Sequence, residues 1–315
     1  MSGRVLVTGG AGFIGSHVCE AYLAAGWEVT ALDDLSRGRE ANVPAGARFV
    51  RADVRSREAR DLLAGGGFDV LNHHAAQIDV RVSVDEPATD ASINLVGFTN
   101  LLEGARAGGV RRVVFASSGG TVYGDAEVLP TPESSAKLPV SPYGIAKLAS
   151  EYYLRALGDL HGFEGVALRY ANIFGPRQDP KSEAGVMSIF TSRLLAGQPL
   201  TVFGDGMQTR DFVYVTDVAR LNVLASTGPL PAPTGLDARA FNVGTATETS
   251  VLELTAAVGR AVGATPLVQH APERAGELRR SALSHAKATA QFGWRPEVPL
   301  EQGLRELAAW FRAGA

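Results

Sequence analysis

Six short runs in this chain are almost continuously apolar: RVLVT at 4–8, EVTAL at 28–32, ARFVRAD at 47–53, DVLNH at 69–73, RVVFASS at 112–118 and GVALRY at 165–170. Segments with helical spacing of apolar residues separate them. A half-exposed strand alternates apolar with polar residues, whereas a parallel strand covered by crossover helices on both faces does not. The pattern therefore predicts an α/β fold built on a doubly wound, parallel Rossmann-type sheet. Beyond about residue 172 the regularity fails, and glycine and proline punctuate shorter elements such as PLTVFGDG at 199–206. The segment GPLPAPTGLD at 228–237 reads as an exposed loop. FVYVTDV at 212–218 and RAFNVG at 239–244 read again as core strands. A sheet domain of residues 1–172, to which 211–250 returns, is expected beside a smaller C-terminal α/β substrate-binding lobe of 173–210 and 251–315. Ser250 and Glu253 form a capping-box pattern opening a helix to about Val262, and LEQGLRELAAWF at 300–311 has helical periodicity.

The charge balance, 30 Lys plus Arg against 33 Asp plus Glu, gives a net charge of -3 and no field suited to a polyanion or an anionic membrane. Neither nucleic acid nor lipid is expected as a partner. No apolar run approaches the length of a membrane span, and glycine interrupts MSGRVLVTGG too early for a signal peptide. The single cysteine, Cys19, falls in a helical pattern and reads as a small buried hydrophobe. A cytoplasmic protein is expected.

Chemistry enters with LVTGGAGFIGSH, which puts Gly9, Gly12 and Gly15 between the first strand and the first helix. Glycines there allow a tight turn and close approach to a pyrophosphate, which the free N–H groups of a helix start attract. The second strand ends in Asp33-Asp34, where a carboxylate can accept hydrogen bonds from an adenosine ribose and repel a 2′-phosphate. NAD is thus favoured over NADP, with Asp33 as the ribose ligand, although Arg37 and Arg39 follow closely. Asp53 and Val54, at the end of the third strand, suit an adenine contact, with a solvated strand end as the alternative.

In SPYGIAK, Ser141 can cap a helix and Pro142 fits its first turn. Tyr143 and Lys147 then lie at i and i+4 on one face, and the ammonium is expected to favour the phenolate, making Tyr143 a candidate base. His73 and His74, neighbours on a strand, are expected to point to opposite faces and to serve packing or cofactor contact; no metal is expected.

VTGGAGFIGSH, NHHAAQ, SSGGTVYG, SPYGIAK, LRYANIFGPRQDP, TRDFVYVTDV, FNVGT and FGWRP together resemble, over essentially the whole length, the extended short-chain dehydrogenase/reductases and, within them, the NAD-dependent sugar-nucleotide epimerases. The resemblance implies that Phe13, Ile14, Ala75, Ala76, Asn94 and Tyr170 join the glycines, Asp33, Asp53 and Val54 around the cofactor. It implies Tyr143 as base, Lys147 as the residue that binds the nicotinamide ribose and tunes that base, and Asn94 as a support of the active site. The family's catalytic Ser or Thr usually stands four residues before the tyrosine of VYG, here Gly119, so the nearest hydroxyl, Ser118, is assigned the role, with Ser117 as the alternative. For the substrate, Asn172 and Arg210 match diphosphate contacts, Arg274 and Glu277 a further basic and acidic pair, and Phe203 a residue near the uracil, with a core phenylalanine as the alternative. A guanidinium fork suits phosphate oxygens whatever the family.

Related dehydratases carry an Asp-Glu pair after the strand-tip threonine, and related decarboxylases a glutamate; SSGGTVYG has neither. What remains can oxidise a hydroxyl and reduce a ketone. The implied reaction is inversion at C4 of a UDP-hexose through a transient 4-keto sugar, with UDP-glucose and UDP-galactose as substrates. Ser281 stands where a tyrosine narrows the pocket in some relatives, which opens it to N-acetylhexosamines. A UDP-glucuronate 4-epimerase or another nucleotide-sugar-modifying relative is the alternative, and a non-catalytic NAD-binding regulator the remote one. The resemblance also implies a homodimer through helices around 94–107 and 143–160.

Overall fold

The structure, a computed structural model, describes residues 3–180, 185–274 and 278–314. The strands are β1 (Arg4–Thr8), β2 (Glu28–Asp33), β3 (Arg48–Arg51), β4 (Val70–His73), β5 (Arg112–Ser118), β6 (Glu164–Tyr170), β7 (Asn172–Phe174), β8 (Leu200–Phe203), β9 (Thr209–Arg210), β10 (Phe212–Tyr214), β11 (Ala240–Val243), β12 (Thr249–Ser250) and β13 (Val268–Ala271). Seven of them form one parallel sheet in the order β11-β6-β5-β4-β1-β2-β3. The chain reverses direction across the sheet between β1 and β4. A doubly wound sheet opens its binding crevice outside the C-terminal strand ends at such a point.

The helices are α1 (Phe13–Ala24), α2 (Arg57–Gly66), α3 (Val80–Asp85), α4 (Pro87–Ala91), α5 (Gly97–Ala107), α6 (Gly119–Val122), α7 (Pro142–His161), α8 (Val186–Leu195), α9 (Val215–Thr227), α10 (Val251–Val262), α11 (Ala286–Phe292) and α12 (Leu300–Arg312). Strand alternation divides the apolar runs between two cores. Val5, Val7, Val29, Ala31, Val114 and Leu168 pack under α1 and α9, whereas Leu6, Leu32, Leu71, Val113, Phe115 and Ala167 pack under α2, α5 and α7. Each such Val, Leu or Phe side chain removed from water contributes about 1.5–3 kcal/mol, which is why the strands need no polar alternation. A third core joins α8, α10 and α12 to β8 and β10, around Phe190, Val202, Tyr214, Leu254 and Leu307.

Two segments depart from the sequence reading. FVYVTDV is a strand only over Phe212–Tyr214, and α9 begins at Val215. Its β-branched residues suit a strand, but tertiary packing prevails: Val218, Leu221 and Ala225 cover the sheet, and the buried Asp217 carboxylate accepts the N–H groups of Glu297 and Val298 at 2.9 Å each. The C-terminal segment is also interleaved more finely than the expected boundaries, since Ala288 and Trp294 pack in the sheet's core and Trp294 donates its indole N–H to Asp217 O at 2.9 Å. Segment 228–235 is without regular structure and is followed by a short turn of helix, Leu236–Arg239. The Ser250–Glu253 capping box is formed as read. No helix among the described residues is long and apolar enough to cross a membrane.

Candidate active site

The dinucleotide loop is built from main chain. Gly12 caps α1 without any side-chain hydrogen bond, so the first N–H groups of the helix are left for an anion. Gly9 adopts φ +67, and a Cβ there would stand 2.7 Å from Ala75 N. A Cβ on Gly15 would stand 2.1 Å from Gly9 O, so only glycine lets α1 sit this close to its strand. Phe13 and Ile14 occupy the first turn, partly buried, with Phe13 edge-on to His17. Asp33 ends β2; its oxygens accept from Ala11 N at 3.1 Å and Leu35 N at 2.8 Å, and each keeps a lone pair. Burial raises its pKa, against those two N–H groups. Arg37 and Arg39 are exposed. This cradle of bare N–H groups, glycines without room for a side chain and a strand-end carboxylate fits NAD.

Farther along the same edge Asp53 is held by the guanidinium of Arg55, which lowers its pKa, and Val54 is buried against α5, where a Cβ on Gly97 would meet it at 2.7 Å. Ala75 and Ala76 follow β4 in a loop fixed by Asn94, which lies on a π-helical turn, Ser92–Val96, between α4 and α5. Its amide accepts from Gln77 N at 2.9 Å and donates to Gln77 O at 3.0 Å and Asp90 at 2.8 Å. Such π turns recur at functional sites. His73 and His74 do point to opposite faces: His73 stacks on Phe98 and bonds Thr8 at 2.7 Å, and His74 stacks on Tyr170. Burial and the nearby Lys147 charge hold His74 neutral, its pKa down at about 3. Tyr170 turns its hydroxyl inward to accept from Asn222 at 2.8 Å.

The catalytic candidates meet at the tips of β5 and α7. Ser141 caps α7 by accepting from Gly144 N at 3.2 Å, and Pro142 fills the first turn. Lys147, buried, donates to Ala116 O at 2.9 Å and lies 4.8 Å from the Phe115 ring centroid and 5.7 Å from that of Tyr143. Burial lowers its pKa to about 8, while the Asp90 and Glu151 carboxylates oppose the fall. The i, i+4 spacing predicts a lowered Tyr143 pKa; the structure shows the reverse. Burial pushes the phenol well up, the Asp90 charge adds to that, and a hydrogen-bonding contact with Ser118 pulls it back. Desolvation dominates because the buried phenolate would leave water, while the Lys147 ammonium lies 5.7 Å from the ring centroid.

Alternation along β5 separates the two serines. Ser117 is buried and donates to Glu151 at 2.5 Å; Ser118 faces Tyr143. Beneath lies a buried ion pair, Arg169–Glu151 at 2.6 Å, with Arg169 also donating to Tyr123 at 3.0 Å and Asp237 at 2.9 Å. The sequence reading missed Glu151 and Asp90. The first had a weak signal, one helical turn after Lys147. Asp90 had only its i, i+4 spacing from Asn94: its carboxylate is fully buried, Oδ1 accepting from Gln77 at 3.0 Å and from Asn94, and Oδ2 has no partner among the described residues.

On the substrate side Asn172 and Asp211 stand at paired strand ends, Asn172 N donating to Asp211 O at 2.9 Å. Arg210, on β9, donates to Thr209 O at 2.7 Å, and Thr209 N to Arg279 O at 3.0 Å, bringing Arg210 beside the segment that carries Ser281. Ser281 is partly buried. The Arg274 guanidinium lies 3.8 Å from the centroid of Phe203, so two residues far apart in sequence form one platform. Glu277 lies outside the described residues.

The profile of the NAD dependent epimerase/dehydratase family matches residues 5–244. The chain belongs to that family. Among curated relatives, a UDP-glucose 4-epimerase of Mycolicibacterium smegmatis is 45% identical over 98% of both chains. Among solved structures, the UDP-glucose 4-epimerase of Thermotoga maritima with UDP-glucose is similar at TM-score 0.93 and 41% identity, covering 98% of this chain and 99% of that one. The Thermus thermophilus UDP-glucose 4-epimerase in complex with NAD is similar at TM-score 0.91 and 44% identity, covering 99% and 100%.

Proposed function

We propose that the chain is an NAD-dependent isomerase that inverts C4 of a UDP-hexose, interconverting UDP-glucose and UDP-galactose. The observation that carries the reading is the meeting of Ser118, Tyr143 and Lys147 between a glycine cradle and a guanidinium-bearing edge, with no carboxylate from Ser117 to Gly124. Gly9, Gly12, Gly15 and Asp33 hold the cofactor, and Asn94 fixes the loop of Ala75 and Ala76 against it. NAD held there would supply the two-electron oxidation of C4 and, in its reduced form, the matching reduction. Tyr143 acts from its phenolate form, which Lys147 and the positive charge of bound NAD would favour against its burial: Oη takes the 4-hydroxyl proton as the C4–H bond breaks, and gives that proton to the ketone oxygen when the bond re-forms. Ser118 hydrogen-bonds the same sugar oxygen, and Lys147, mostly charged at neutral pH, offsets the charge on the phenolate. Asn172, Arg210 and Arg274 hold the diphosphate, Phe203 lies toward the uracil, and Ser281 borders the sugar. Residues 1–172 and 211–250 chiefly serve the cofactor, and 173–210 with 251–315 chiefly the nucleotide sugar.

A coupled assay across UDP-galactose, UDP-N-acetylgalactosamine and UDP-galacturonate tests this. The expected result is turnover of the first, measurable turnover of the second, and a fall of roughly 100-fold or more in kcat for Tyr143→Phe with NAD still bound. Preference for the uronic acid would transfer the reading to a UDP-glucuronate 4-epimerase. Purified protein without nucleotide, or without transient reduced-nicotinamide absorbance on adding UDP-sugar, would overturn the cycle. A cytoplasmic homodimer belongs to the same reading: Val84, Val96, Ile145 and Tyr152 expose apolar side chains around α3, the π turn and α7. Sedimentation velocity on the wild type and Val96→Asp checks it, with dissociation expected in the variant.

A further inference from the structure

The tip of β5 offers three consecutive positions, and only the middle one reaches Tyr143. Ser117 is turned into the buried Glu151–Arg169 pair. Gly119 begins α6 and is itself buried. A Cβ at 119 would stand 2.5 Å from Leu283 Cδ1, 3.0 Å from Cδ2 and 3.3 Å from Cγ, while a Cβ on the neighbouring Gly120 would meet nothing within 4 Å. The exclusion is therefore specific to one position and one opposing side chain.

Leu283 has little freedom to give way. It is 1% exposed and its N–H donates to Asp211 Oδ2 at 3.1 Å. On either side, Thr131 N donates to Ala282 O at 2.8 Å and Ser284 N to Thr131 O at 3.0 Å. Asp211, fully buried, also accepts from Thr245 N at 2.8 Å and Ala246 N at 3.2 Å, and a Cβ on Gly244 would stand 3.0 Å from Leu283 Cβ. These bonds hold the Leu283 backbone to Thr131 and Asp211, and the close packing around its buried side chain leaves few rotamers open to it.

We infer that Leu283 is a positioning residue for the reaction: its δ-methyl groups fill the volume into which a side chain at 119 would project, and so confine the reacting hydroxyl to Ser118. The segment that carries Ser281 thereby fixes the strand tip as well as the sugar wall. The inference rests on the proposed role of Ser118, and two experiments keep the two claims apart. The first is a thermal-unfolding cycle of Gly119→Ser, Leu283→Val and the double variant, Val having one carbon fewer and no atom at the δ positions. Each single change is expected to lower Tm, and the double to recover most of the loss from Gly119→Ser; a soluble double beside an insoluble Gly119→Ser has the same meaning. Additive losses would overturn the packing claim.

The second experiment is kinetic. Ser118→Ala in the parent is expected to lower kcat roughly 100-fold with little change in KM. In the Gly119→Ser/Leu283→Val background the same change is expected to cost under about tenfold, because the side chain introduced at position 119 then supplies a hydroxyl. Equal losses in both backgrounds would overturn the positioning role. A silent Ser118→Ala in the parent would sink the Ser118 assignment and this role with it, while the unfolding cycle would still judge the contact.

Discussion

The two edges of the active-site crevice are made of different material. At the cofactor edge the candidate groups are mostly backbone: α1 starts on Gly12 with no side-chain cap, Gly9 and Gly15 leave no room for a Cβ, and the one side chain, Asp33, is fixed by two backbone N–H groups. At the substrate edge the candidates are long side chains on short strands and loops: Arg210 donates to Thr209 O at 2.7 Å, and the Arg274 guanidinium lies 3.8 Å from the centroid of Phe203. The first edge has no room for a Cβ at Gly9 or Gly15, whereas the second is made of side chains that can be exchanged one at a time.

Substitutions of decreasing severity can break that contrast. Gly15→Ala forces a methyl group to 2.1 Å from Gly9 O and is expected to cost about 3 kcal/mol and abolish NAD retention, read as nucleotide released on denaturing the purified protein. Retained NAD would remove the distinction between the edges. Arg274→Ala is expected to raise KM for the UDP-sugar about 10- to 100-fold with bound NAD and kcat nearly unchanged. A matching loss of NAD would mean that the edges are not separable.

Asp90→Asn sharpens the electrostatic side. This carboxylate accepts from Gln77 and Asn94, and its negative charge raises both Lys147 and Tyr143 on α7. Removing the charge lowers both values. The kcat profile as a whole, which depends on the protonation of both groups, is therefore expected to move to lower pH. A uniform loss at every pH would assign Asp90 to packing alone. The smallest effect is expected at Ser281→Tyr: UDP-N-acetylhexosamine turnover falls several-fold more than UDP-galactose turnover, and equal kinetics on the two would end the argument from pocket size.

The cofactor edge was legible for the reason that makes it intolerant. Its signals, a strand, glycines at fixed offsets, a helix start and a carboxylate at the end of β2, are local in the chain. The i, i+4 pair Tyr143–Lys147 was equally local, but its electrostatics were not. The phenol's pKa is set by burial and by Asp90, on a helix some fifty residues earlier, and spacing alone gave the wrong sign. FVYVTDV misled in a similar way, because its strand propensity yields at Val215 to the need for a helix over the sheet.

By itself the sequence determined the doubly wound sheet, the dinucleotide loop and the Tyr–Lys helix, since each is a pattern of neighbours whose physics acts within a few residues. Only the tertiary structure decided that Ser118 and not Ser117 faces Tyr143, that Arg274 lies on Phe203, that Asp90 is buried with an unpaired oxygen, and that Leu283 closes the space beside Gly119. Those outcomes depend on excluded volume and desolvation between segments distant in the chain, and these quantities come into being only when the segments are packed together.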